Sequence, residues 1–98
     1  MDRIYIEFDE EKLKKHDISL DSAIEYLDEL FAKFNMEQNK EGWYCGGSFE
    51  TIGAINIILK KTEWFIKCAS KWLWFQADDG CTEDVLSFYR DGEQRYLL

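Results

Sequence analysis

Proline is absent from this chain, histidine occurs once, and its three cysteines are far apart. Each scarcity excludes something. Without proline there is no rigid linker of the proline-rich kind, and no repeat or low-complexity segment divides the chain. Cys45, Cys68 and Cys81 are odd in number with no C-x-x-C spacing, so they read as reduced thiols rather than a disulfide framework. A lone His16 and no knuckle-like cysteine spacing give no zinc signature. No run approaches the roughly 18 apolar residues of a membrane span. The opening MDRIYIEFDEEK begins on an acid and has no apolar h-region. The expectation is a cytoplasmic protein.

Basic residues are also in short supply. Twelve Lys and Arg face twenty Asp and Glu, for a net charge of −8. Nucleic-acid binding draws much of its affinity from neutralised phosphates, so this balance argues against it. It argues equally against an anionic membrane surface. It suits a soluble small domain, and it suits a basic protein partner.

Aromatic side chains, by contrast, are plentiful, at 16% of 98 residues. Each can bury roughly 150–250 Å², enough for one domain of this length to build a core without staples. Residues 1–98 therefore read as a single domain.

"RIYIEF" alternates, with Ile4, Ile6 and Phe8 on one face and Arg3, Tyr5 and Glu7 on the other. Period two predicts a half-buried strand. The polar "DEEKLKKHD" predicts a loop or a short helical turn. Ser19 then caps an amphipathic helix from about Leu20 to Met36. Leu20, Ala23, Ile24, Leu27, Leu30, Phe31 and Phe34 form its apolar stripe, and Asp21, Glu25, Asp28 and Glu29 its acidic face. A strand is expected at Trp43–Cys45. The next segment has two readings. A helix capped by Ser48 and running to Lys61 is opposed by Gly53 and by five β-branched residues. A long central strand over Thr51–Lys60 is preferred.

"TEWFIKCASKWLWFQADDG" is read as a helix capped by Thr62 and closed by Gly80, with Glu63, Lys67 and Lys71 on one charged line. As a strand, it would place Trp72 and Trp74 on one face and Leu73 and Phe75 on the other. "TEDVLSFYRDG" predicts a last short helix capped by Thr82, against a hairpin turning at Asp91-Gly92. "QRYLL" reads as a closing strand or an apolar tail. The order β-α-β-β-α-(α)-(β) gives an α+β domain with an antiparallel sheet of three to four strands, matching the ferredoxin-like β-α-β-β-α-β pattern. Topology alone licenses no function.

The chemical motifs are weak. His16 sits on a polar stretch, and no local signature pairs it with a cysteine for nucleophilic catalysis. Cys68, on an apolar arc, reads as a small core hydrophobe. "YCGGSFE" puts two glycines before a serine, but it is neither a G-x-G-x-x-G nor a G-K-[ST] loop. The glycines read as a turn or bulge. "DDGCTED" gathers Asp78, Asp79, Glu83 and Asp84, which suggests a divalent metal only until their roles at helix ends are counted. No catalytic residue, metal site or cofactor is assigned.

Two features remain. The acidic face of Asp21, Glu25 and Asp28 would steer a basic partner. On the helical reading Trp74 falls among Lys67 and Lys71, outside the core, as an interface anchor or a ring covered by Tyr96–Leu98. The leading expectation is a non-enzymatic protein that binds another protein, as an inhibitor, immunity-type or accessory factor for a basic partner. The alternative is a ligand-binding or catalytic domain, in a homodimer, with an aromatic pocket built on Trp43, Tyr44 and Cys45.

Overall fold

A computed structural model describes residues 1–92. The expected closing segment "QRYLL" and the tail Tyr96–Leu98 lie outside the described residues. The elements in order are β1 (Asp2–Phe8), α1 (Glu10–Lys15), α2 (Leu20–Ala32), β2 (Glu37–Gln38), β3 (Tyr44–Gly47), α3 (Phe49–Lys61), α4 (Glu63–Cys68), β4 (Ala69–Gln76), β5 (Cys81–Asp84) and α5 (Val85–Ser87), followed by a π-helical turn at Phe88–Gly92.

The architecture is α+β. One sheet runs in the order β2-β3-β1-β4-β5, with every neighbouring pair antiparallel. It has five strands instead of the expected three to four. β1 and β2 therefore run parallel with β3 inserted between them, and β3 and β4 run parallel with β1 between them. Helices occupy both crossovers, so the first four strands follow the split β-α-β-β-α-β arrangement. β5 extends it at one edge.

β1 forms as its alternation predicts. Ile4 is fully buried, and Arg3, Tyr5 and Glu7 face the other side. α2 also forms, with the Ser19 hydroxyl accepting from the Ser22 N–H. The polar "EEKLKK" makes α1, capped by Asp9.

The segment after Gly47 corrects the expected strand: it is α3, with Ser48 accepting from the Thr51 N–H at 3.2 Å. Burial overrides propensity here. Ile52, Ile55 and Leu59 enter the core completely, each worth about 1.5–3 kcal/mol. The β-branched residues and Gly53 cost up to about 1 kcal/mol each.

The expected long helix over "TEWFIKCASKWLWFQADDG" is corrected too. α4 stops at Cys68, and Ala69–Gln76 becomes β4 with no loop between them. Aromatic-rich alternation fits a pleated surface, and β1 supplies its partner: Ile4 lies opposite Trp74, Ile6 opposite Trp72 and Glu7 opposite Lys71. Trp72 and Trp74 thus face the core, while Lys71, Leu73 and Phe75 face outward. Thr62 makes no side-chain cap and donates to Ile58 O instead. Gly80, at φ +65°, turns the β4–β5 hairpin rather than ending a helix. Thr82 lies in β5, and Asp84 caps α5.

The core gathers Phe31, Tyr44, Phe65 and Trp72 with the α3 aliphatics between sheet and helices. Trp72 Nε1 donates to Asn56 Oδ1 at 3.2 Å. That bond explains the one polar side chain on the buried face of α3. Gly47 lets β3 pack closely on the core: a β-carbon there would lie 2.7 Å from Met36 Sδ and 3.1 Å from Ile52 Cγ1.

Candidate functional site

The structure separates the six side chains that the sequence groups for partner binding. Asp21, Glu25 and Asp28 are exposed on α2, as expected. Lys67 is on α4, paired with Glu63 at 2.7 Å. Lys71 is on the outward face of β4, 4.0 Å from Glu7. Trp74 points the opposite way. It is 9% exposed, its Nε1 donates to Asp2 Oδ2 at 2.9 Å, and its ring lies 5.0 Å from that of Phe49. The ring that the helical reading leaves outside the core, as an interface anchor or covered by the tail, is therefore part of the core. The error follows from the helical period: a strand puts residues 71 and 74 on opposite faces, where a helix puts them on the same side.

The acidic "DDGCTED" stretch is occupied with local bonds. Asp84 accepts from the Ser87 N–H at 3.1 Å and from its hydroxyl at 2.9 Å, and Glu83 accepts from Gln76 Nε2 at 3.0 Å. Among the described residues no three His, Cys, Asp or Glu side chains gather where a metal ion would sit. In "YCGGSFE" the serine caps α3 and Gly47 serves packing. The Trp43 and Tyr44 rings have different surroundings. The Tyr44 ring is buried and stacked on Phe31 at 4.0 Å, whereas Trp43 packs outward beside Tyr5 and the Arg3 guanidinium.

One pairing across the sequence does form. His16 Nδ1 lies 3.6 Å from Cys68 Sγ. The same nitrogen lies 2.8 Å from Lys12 O. A carbonyl oxygen only accepts, so Nδ1 carries the proton and has no lone pair to take one from the thiol. Cys68 is fully buried, and burial pushes its pKa up. A reactive thiol needs the reverse. The contact is a structural one.

The feature that sequence reasoning missed is a groove of about 300 Å³ between α2 and β1, lined by Ile6, Glu7, Phe8, Glu10, Leu20, Ile24, Leu27, Gln38 and Tyr44. Leu20 and Ile24 belong to the apolar stripe of α2, yet they remain 36% and 39% exposed. The reason lies in the sheet. β4 accompanies β1 as far as Phe8, but β3 pairs with it only at Asp2, Arg3 and Ile4. The first turns of α2 therefore overhang a part of β1 with no strand partner on the β3 side among the described residues.

Carboxylates surround this apolar cleft. Glu7 and Glu10 belong to its wall. Asp21 and Glu25 are exposed on α2, outside the lining of the cleft. Asp28 is held at the cleft by Tyr44, whose hydroxyl donates to Asp28 Oδ1 at 2.6 Å. Burial, and then that bond to a carboxylate, raise the Tyr44 pKa well above its ordinary 10.0. The hydroxyl therefore stays a donor to Asp28 beside the groove. Lys71 offsets part of the Glu7 charge. The arrangement offers apolar contact inside and negative charge at the lips.

Comparison with protein-family models, with curated proteins and with solved structures finds no match to this chain.

Proposed function

We propose that this chain is a non-enzymatic protein-binding domain that holds a basic segment of another protein in the groove between α2 and β1. The observation that carries this reading is the union of exposed Leu20 and Ile24 with Glu7 and Glu10 in one cleft, and with Asp28 bonded to Tyr44 in its wall. Apolar side chains entering the cleft supply affinity, and the acidic lips set orientation and association rate. An inhibitor, immunity-type or accessory factor for a basic partner fits this chemistry. Trp74 has no part in it; the anchoring residues are those of the partner that enter between Ile24 and Ile6.

Isothermal titration with a short peptide of alternating lysine and valine tests the reading. We expect binding that weakens as salt is raised, because exposed charges are screened beyond about 8–10 Å at physiological ionic strength. Ile24→Lys puts a cation in the wall at a half-exposed site and should weaken binding at least tenfold, about 1.4 kcal/mol, with little effect on folding. Undiminished binding to Ile24→Lys would remove the groove from the reading.

A further inference from the structure

β1 is seven residues long and central in the sheet, yet its β3 side is paired only through Ile4. Among the described residues Tyr5 to Phe8 have no strand partner on that side, so an edge lies in the middle of the sheet rather than at its margin. Ile6, Glu7 and Phe8 all line the same cleft. Ile6 and Glu7 point to opposite faces of the strand, and the register shifts between Glu7 and Phe8, so the cavity that touches all three follows the edge of the strand. The groove is thus bounded by apolar side chains of α2 on one side and by backbone N–H and C=O groups of β1 on another.

Resting on the protein-binding reading above, we infer that the occupant is an extended segment of the partner that adds to β1 as a strand beside Tyr5–Phe8. Its side chains alternate between apolar and basic. In such a strand, alternate residues face the two sides of the sheet. One set enters the core side, among Ile6, Phe8, Leu20 and Ile24. The other set emerges on the outer side, where Glu7 stands. Charge favours this occupant over a second copy of the chain, which carries −8 itself. An amphipathic helix would fill the cleft but leave the edge of β1 unpaired.

Backbone N-methylation separates these modes. Two versions of the lysine–valine peptide carry N-methyl groups on alternate residues, one on each edge of its extended form. The version methylated on the edge facing β1 should lose at least tenfold in affinity, and the other should bind as the parent does. Hydrogen exchange should slow at amides within Tyr5–Phe8 when the parent peptide is bound. If both methylated peptides bind like the parent, or both lose equally, strand addition is wrong while the groove reading stands. If the parent peptide does not bind at all, the groove reading fails with it. A dimer in sedimentation, with the same amides protected and no peptide present, would assign the edge to a second copy and overturn the proposal.

Discussion

Single residues decide several features of this molecule. Asp2 is 7% exposed. One of its oxygens accepts from Trp74 Nε1 at 2.9 Å and the other from the Ala77 N–H at 3.0 Å. Hydrogen bonds to a charged group contribute about 1.5–3 kcal/mol each, and an unsatisfied buried donor adds to the loss. Asp2→Ala should therefore destabilise the fold by about 2–4 kcal/mol, read as a lower urea midpoint; a change below about 0.5 kcal/mol, the usual range for surface substitutions, would show that these bonds carry little. The thiols divide by exposure: Cys81 is exposed and Cys68 buried. A thiol reagent should label Cys81 rapidly in the native protein and reach Cys68 only as the chain opens.

Among the elements, α3 shows how context sets the effect of a glycine. Gly53 lies inside the helix, and a β-carbon there would meet nothing within 4 Å. Gly53→Ala should raise stability by about 0.5–1 kcal/mol. Gly47, one strand earlier, has Met36 Sδ where its β-carbon would go, and Gly47→Ala should cost about 1–3 kcal/mol through overpacking. Parallel denaturation curves of the two variants test both signs. The elements also differ in how far their residues reveal them. β1 and α2 each carry a single clean period; β1 forms where the pattern puts it, and α2 starts at Leu20 as expected but ends at Ala32, short of Met36. α3 was readable from its Ser48 cap, but its isoleucines favour strands as isolated residues, and only their burial makes them helical. The α4–β4 junction is harder. Glu63 and Lys67 satisfy a helical spacing that Lys71 appears to continue, yet its real partner is Glu7, 64 residues away in sequence. The acidic face of α2 was legible in the same way. The groove beside it was not, because it depends on β3 stopping short at Tyr44, and the length of a strand pairing leaves no local trace.

For the molecule as a whole, alkaline pH is the condition to which the core should respond. Burial raises the pKa of the Cys68 thiol above its ordinary 9.0 and that of the Tyr44 hydroxyl above its ordinary 10.0. In both cases the unfolded state loses its proton first as pH rises. Stability is then fully retained below these ordinary values and falls above them. Urea midpoints should hold steady up to about pH 8.5, the ordinary thiol range, and decline beyond it. Cys68→Ala should remove the part of the decline that starts near the thiol value, and Tyr44→Phe the part that starts near the phenol value. A decline unchanged in both variants would place its origin elsewhere.

The sheet order has a consequence for synthesis on the ribosome. The first strand of this sequence is the middle strand of the sheet. Its partner β4 is complete only at Gln76, and the Asp2 carboxylate finds its last donor at Ala77. Until then the β4 edge of β1 lacks its partner, the condition under which nascent strands pair wrongly. The chain gains its native sheet late and nearly all at once, and the same long-range closure makes refolding of the full chain slower than its short helices would suggest.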